Sequence, residues 1–357
     1  MFLKLKNLDT PSQKDPTPIS ELGEFKLIEH LTNGIPVEGG DLIQGIGDDA
    51  AVIRADGKKV LVVTSDMLCE GIHFDLTYTP AKHLGYKAIT VNLSDIYAMN
   101  AEAGQVTVSI GLSNRMSVDF LEDLYEGMRL ACERYGVQLV GGDTVSSRSG
   151  LLISVTAMGW SDEDTVVYRK GGRENDLICV SGDLGAAYMG LQLLEREKNL
   201  YESGEGLQPD LSGNDYILER QLKPEPRRDV IRAFAELGLK PTSMIDISDG
   251  LSSDLLHLCK ASGLGANLFE EKIPVDASTS MMAESFKIGP TTAALNGGED
   301  YELLFTADLK DHDSISSMPG ISIIGHMTGK AEACQLVTLS QTVLPIKASG
   351  WEAFRED

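Results

Sequence analysis

Six times along this chain an apolar stretch gives way to one or two small residues and then to an acid. The instances are GIGDD (Asp48, Asp49), VVTSD (Asp66), VNLSD (Asp95), LVGGD (Asp143), IDISD (Asp246, Asp249) and LNGGED (Glu299, Asp300). One acid just past an apolar run is common at a strand end, but a sixfold recurrence constrains the fold. Strand ends of one sheet tend to lie together, so the expectation is that these acids converge on a single cleft. Converging acids raise one another's pKa unless cations are present. The stretch GIGDDAAVI sharpens the point, because adjacent Asp48 and Asp49 repel each other and are costly to desolvate. Something positive must sit beside them.

Hard oxygen ligands select Mg²⁺, Ca²⁺ or Mn²⁺, and the chain offers no cysteine–histidine set for zinc. Glycines 47, 141, 142, 297 and 298 let backbone N–H groups approach an anion closely. Divalent cations together with glycine-lined N–H groups are the equipment for a polyphosphate. The P-loop, the kinase HRD and DFG motifs and the GxGxxG fingerprint are all absent. A nucleotide would therefore bind through another fold. The net charge of −23 argues against nucleic acid as a partner. The five cysteines have no CxxC spacing and read as reduced core thiols. With no signal-peptide pattern and no long apolar run, the chain reads as soluble and cytoplasmic, with no membrane partner.

At 357 residues two domains are the natural expectation. The polar, proline-bearing residues 1–20 read as a mobile tail. A first helix follows, with Ser20 as its N-cap and Asn33-Gly34 as its stop. VLVVTSD reads as a strand ending in an acid, and the segment from Pro80 to Asn100 as a helix carrying Asp95. SVDFLEDLYEGMRLACERYG is an amphipathic helix capped by Ser117 and ended by Gly136. Strands and helices alternate to about residue 160, which indicates an α/β or α+β domain. RKGGREND (Arg169 to Asp176) reads as the connector to a second domain of similar class, and residues 199–216 as a long polar loop.

Taken together, GIGDDAAVI, TSDMLCEGIHF, YKAITVNLSDIYAMNA, LVGGDT, IDISDGLSSDL and LNGGEDYELLF resemble the thiamine-monophosphate kinase family. That family belongs to the superfamily of aminoimidazole-ribonucleotide synthetase, and the resemblance runs from about residue 22 to Trp351. It implies an aminoimidazole-ribonucleotide-synthetase-like fold: an N-terminal α/β domain (21–165) that binds ATP and Mg²⁺, and a C-terminal α/β sandwich (166–357). The N-terminal sheet is expected to pair with its twin in a homodimer. The implied reaction is ATP-dependent phosphorylation of thiamine monophosphate to thiamine diphosphate. Several Mg²⁺ ions would be held by Asp49, Thr64, Ser65, Asp66, Asp95, Asp143, Asp246 and Asp249. ATP would meet Tyr125, Gly142, Asp143, Arg169 and Ser248, and the acceptor would meet His73, Glu299 and Trp351. The acceptor phosphate is already a nucleophile at neutral pH, so no residue is expected to act as general base.

Several of these residues admit plainer roles. Asp48 caps its turn or orients Asp49 rather than ligating, Tyr125 packs in a core or an interface, and Trp351 packs near the C-terminus. Arg169, beside Lys170, is a solvated boundary cation or a phosphate ligand. Two rival functions stand beside the kinase: another ATP-using enzyme of the superfamily, such as aminoimidazole-ribonucleotide synthetase, and an acidic divalent-cation binder with no turnover. The NGGEDYEL stretch speaks against the first. A mere cation binder would gain no Mg²⁺-dependent thermal stabilisation from ATP.

Overall fold

The computed structural model describes residues 19, 23–204, 208–329 and 333–348. The chain divides into two compact units, Pro36–Trp351 and the terminal residues on either side. Of the terminal unit, helix α1 (Gly23–Thr32) is described. The expected tail over residues 1–20, Ile19 apart, and the expected cap Ser20 lie outside the described residues.

The larger unit holds two mixed sheets. The first comprises β1 (Leu42–Gln44), β2 (Ala51–Arg54), β3 (Lys59–Cys69), β4 (Glu102–Leu112), β5 (Gln138–Ser146) and β6 (Leu152–Asp162). Their order is β1-β2-β3-β6-β4-β5. Only β4 and β5 pair in parallel, because helix α3 (Val118–Tyr135) joins them, and a parallel pair needs such a crossover. Helix α2 (Ala81–Ala98) joins β3 to β4.

The second sheet begins with β7 (Leu177–Ser181), which is followed by helices α4 (Ala186–Glu202), α5 (Asp215–Leu222) and α6 (Arg228–Leu237). Next come β8 (Ser243–Asp246), helix α7 (Leu251–Ser262), β9 (Gly265–Phe269), and helices α8 (Ala277–Ser285) and α9 (Pro290–Asn296). The chain then runs through β10 (Leu303–Ala307), α10 (His312–Ser316), β11 (Ile321–Thr328), β12 (Gln335–Val337) and β13 (Val343–Pro345). Strand order is β13-β12-β9-β11-β7-β10-β8, all antiparallel except β12 against β9.

Local sequence explains the two long helices. Ser117 Oγ accepts from Phe120 N at 3.1 Å, and Gly136 closes α3 at φ 67, a left-handed value that favours glycine. Leu124, Met128, Ala131 and Cys132 bury the face that the periodicity picked out. Helix α2 differs, being buried almost all round, polar side chains included. It lies very close to α3, and two glycines make that possible. A Cβ at Gly85 would fall 1.8 Å from Leu124 O, and one at Gly127 1.9 Å from Lys82 O. Each helix thus accepts the other's backbone where a side chain would stand.

Strand β3 runs on to Cys69, so Asp66 lies inside the strand and not at its end as expected. The inward row Val60, Val62, Thr64, Asp66 turns from apolar to polar as it approaches the second sheet's β8, which α2 also touches. The outer face of the first sheet leaves Met67 and Trp160 exposed, and edge strand β5 is exposed along its whole length.

Gly85→Ala is expected to push α2 off α3 and to destabilise the protein by about 3 kcal/mol. Urea unfolding followed by circular dichroism checks this, and wild-type stability in the variant would contradict the close packing.

Candidate active site

The cation that Asp48 and Asp49 require is Arg169, 120 residues further along the chain. Its Nε and Nη2 both donate to Asp49 Oδ1, at 3.1 and 2.6 Å. Its backbone N–H is held by the Asp48 carboxylate at 3.1 and 3.3 Å. Asp48 also accepts from Asp49 N, so it braces the turn and the arginine together. The second Asp49 oxygen, Oδ2, is buried with no hydrogen-bond partner.

Asp49 also belongs to a corner shared with two other acids. Carboxylate oxygens of Asp49, Asp95 and Asp246 all lie within 4.8 Å of one another. Asp95 comes from α2 and accepts from Thr64 Oγ1 of β3 at 2.6 Å. Asp246 ends β8 and accepts from Ser94 Oγ of α2 at 2.6 Å. Asp66 adjoins the group, and its backbone N–H donates to Asn92 Oδ1 of α2 at 3.1 Å. The acids therefore come from a loop, a strand and a helix of one half and a strand of the other. Only Asp246 stands at a strand end.

Burial is the leading cause of upward pKa shifts throughout this corner, and neighbouring carboxylates add to it. Burial and then Asp49 push Asp48 and Asp246 up to about 7. Asp66 rises for the same two reasons. Asp95 stands well above the carboxylate range through burial, Asp66, Asp246 and Asp49, in that order. Burial raises Asp49 despite Arg169. One guanidinium does not neutralise this group. Three carboxylates within 4.8 Å of one another, one of them carrying a buried oxygen with no hydrogen-bond partner, are a fit for a hard divalent cation, and the donor set is oxygen only.

The remaining expected site residues are distributed around this corner. Ser65 turns to the opposite face of β3, where its hydroxyl meets Thr156 Oγ1 at 3.1 Å. Gly142 lies on the cross-strand row Asp66–Val155–Val108–Gly142, three strands or about 14 Å from Asp66. Asp143 is exposed on β5 and accepts from Thr144 N at 2.8 Å. Tyr125, on α3, lines a pocket of about 740 Å³ with Glu122, Arg129, Val137 and Leu139. Ser248 is exposed and Asp249 half-buried in the turn between β8 and α7. His73 folds back on its loop, its Nδ1 accepting from Cys69 N at 3.1 Å. Trp351 lies outside the described residues.

Glu299 sits in a loop pinned to the β8–α7 turn by Glu299 N–H to Ser248 O at 2.7 Å and Tyr301 N–H to Ile247 O at 2.8 Å. Asp300, its neighbour in the acidic pattern, does not join the corner. It is buried and accepts from Gly185 N at 2.8 Å and Ala187 N at 3.4 Å, closing the start of α4. Sequence reasoning missed four participants: Lys87, Asn92 and Ser94 on α2, and buried Asp254, which accepts from Gly250 N at 3.1 Å. The available signal was their interruption of helices that are otherwise apolar.

Residues 47–161 match the family model for the N-terminal domain of AIR synthase related proteins, and residues 173–332 match that for the C-terminal domain. The thiamine-monophosphate kinase of Bacillus subtilis is 31% identical over 94% of this chain and 100% of its own length. That of Aquifex aeolicus is 36% identical over 81% of this chain and 87% of its own. The chain belongs to the thiamine-monophosphate kinase family. A solved structure of this family, AaThiL complexed with AMPPCP and TMP, superposes with a TM-score of 0.80 at 31% identity, covering 95% of this chain and all of that one. The thiamine-monophosphate kinase of Stenotrophomonas maltophilia gives 0.69 at 30% identity, covering 90% of this chain and 98% of that one. Family members thus share the two-sheet architecture on which the acidic corner is built. Among the described residues no helix is long and apolar enough to cross a membrane.

The raised carboxylates set the sign of a pH effect on the cation-free protein. Their folded pKa values exceed the unfolded ones, so their stabilisation is full below about pH 4 and is lost as pH rises through about 7. In chelator, the melting temperature is expected to fall between pH 5.5 and 8, and Mg²⁺ or Mn²⁺ should restore it at pH 8. Asp246→Asn should flatten the dependence. Thermal scans at both pH values check this, and equal melting temperatures would contradict it.

Proposed function

We propose that this chain transfers the γ-phosphoryl group of ATP to thiamine monophosphate, giving thiamine diphosphate and ADP. The observation that carries the reading is the buried corner of Asp49, Asp66, Asp95 and Asp246, with an orphaned carboxylate oxygen, in a chain that aligns end to end with thiamine-monophosphate kinases. The AaThiL complex, with an ATP analogue and TMP both bound, supports ATP as co-substrate and TMP as acceptor.

We assign Asp49, Thr64, Asp66, Asp95, Asp143, Asp246 and Asp249 to holding Mg²⁺, with Ser65 limited to its backbone because its hydroxyl lies on the opposite face of β3, and Tyr125, Gly142, Asp143, Arg169 and Ser248 to ATP. His73, Glu299 and Trp351 are assigned to the acceptor. Bound magnesium would supply the positive charge that lets two polyanions face each other for in-line displacement. The residues of the chain fix geometry. Thr64 and Ser94 orient Asp95 and Asp246 by donating to one oxygen of each. Arg169 opposes the burial that raises Asp49 and presents its guanidinium at the same corner. An acceptor phosphate carries its own nucleophilic oxygen, so no side chain has to take a proton from it.

The division into a 1–20 tail and domains over 21–165 and 166–357 is part of this reading, and the family-model matches on either side of residues 162–172 support it. So is a homodimer formed through the first sheet, supported by its exposed outer face with Met67, Trp160 and Val145. A cytoplasmic location follows from the substrates.

An ADP-release assay with thiamine monophosphate tests the function, with thiamine and aminoimidazole precursors as controls. Turnover is expected with the monophosphate, and thiamine is expected to be a poor acceptor, because an alcohol needs a base. Asp66→Asn or Asp95→Asn should lower kcat about 100-fold or more. Both should leave the circular dichroism unchanged, since they remove charge and not packing. Full activity in either variant, or equal rates on thiamine, would reject the mechanism.

A further inference from the structure

Lys87 is a buried ammonium that none of the roles above uses. Its side chain is 3% exposed, yet it sits in the middle of α2. The ammonium donates to Gln221 O at 3.1 Å and to Glu299 Oε2. Tyr301 Oη donates to the other oxygen, Glu299 Oε1, at 3.1 Å. Both oxygens of one carboxylate are therefore gripped, from a helix of the first half and from the carboxylate's own loop. The side chain of Glu299 remains 27% exposed, so part of it still faces outward.

Packing alone does not account for this arrangement. Burying an ammonium costs several kcal/mol before its partner repays it, and apolar replacements of a buried pair are often neutral or stabilising. The loop is held in an unfavourable backbone as well. Glu299 and Tyr301 have φ values of 62 and 52, in the left-handed region that few residues other than glycine occupy. Burial, then Glu299, Asp66 and Asp246, keep the Tyr301 hydroxyl protonated and so a donor. Lys87 and Asp95 also ride on the same helix eight residues apart, about 12 Å along its axis. One rod thus sets the spacing between the acidic corner and the Glu299 carboxylate.

We propose that Lys87 is a positioning residue that fixes Glu299 to receive the cationic ring system of the acceptor at a set distance from the phosphoryl-transfer corner. This rests on the function proposed above. The chemistry follows from charge: a carboxylate repels the acceptor's phosphate and attracts a thiazolium or an aminopyrimidine. Phosphate and ring are then recognised about two turns apart along α2, and acceptors of the wrong length lose one contact or the other.

The test is steady-state kinetics on the full chain, with KM read separately for thiamine monophosphate and for ATP, alongside thermal unfolding. Lys87→Met is expected to raise KM for thiamine monophosphate about tenfold or more, with KM for ATP changed less than twofold. It should also lower the melting temperature by leaving Glu299 unpaired. The double variant Lys87→Met with Glu299→Gln strands no ionised group, so it should regain stability while KM for the acceptor stays high. Recovery of acceptor KM together with stability would overturn the inference, as would an equal rise in both KM values in Lys87→Met. If Lys87→Met does not fold, the double variant carries the comparison alone. A wild-type chain that forms no thiamine diphosphate overturns the underlying function and the inference with it. An active wild type with unchanged acceptor KM in Lys87→Met overturns the inference only.

Discussion

Mutual repulsion among buried carboxylates is the constraint around which this molecule is organised. Asp49, Asp66, Asp95 and Asp246 crowd one corner, and a single guanidinium, Arg169, compensates them in part. No chain keeps such a group unless something outside the protein completes the charge balance. The fold bears the load through α2, three of whose polar side chains reach other elements. Asn92 reaches β3, Ser94 reaches β8, and Lys87 reaches the loop before β10. A helix buried all round would normally be apolar all round; here Lys87, Asn92 and Ser94 each have a partner, whereas the Tyr97 hydroxyl is buried without one.

The halves of the molecule are joined by these same contacts. Asp48 and Asp49 from the first sheet hold Arg169 in the connector, and Ser94 holds Asp246 of the second sheet. Assembly of the site and docking of the two sheets are thus a single event. Side chains that read as chemistry also act as mortar, and the two duties are separable only where a residue faces one way. In the stretch GGEDYEL the division is plain. Glu299 is partly open, whereas Asp300 closes the start of α4 and Glu302 is buried between Arg220 at 2.7 Å and Arg227 at 2.9 Å.

Much of this was legible in the sequence. The need of the Asp48–Asp49 pair for a cation followed from desolvation alone, and α3 with both its caps followed from periodicity and from Ser117 and Gly136. Convergence of the acids was also expected, but its route was misjudged. A strand-end rule placed Asp66 at a terminus, whereas β3 continues three residues beyond it, and Asp95 reaches the corner from a helix. Lys87, Asn92, Ser94 and Asp254 went unseen for a common reason. The partners of Lys87, Asn92 and Ser94 are tertiary, as with Ser94 and Asp246 at 152 residues' separation, and Asp254 bonds a loop N–H that periodicity does not register; hydrophobic periodicity carries no information about which polar residue will find such a partner. Asp300 shows the converse, an acid in the right pattern that caps the distant start of α4 and pairs with Arg220 instead of joining the corner.

The left-handed backbone at Glu299 and Tyr301 has a bearing on how far this protein can be hardened by engineering. Glycine at either position would relax strain of order 1 kcal/mol, but at position 299 it would also strand the buried Lys87 ammonium, which costs about 3–5 kcal/mol. Each such replacement would also delete one of the side chains that meet in the clamp. Relief of backbone strain at Glu299 is therefore outweighed by the charge it strands, so this short loop is a poor place to seek heat resistance.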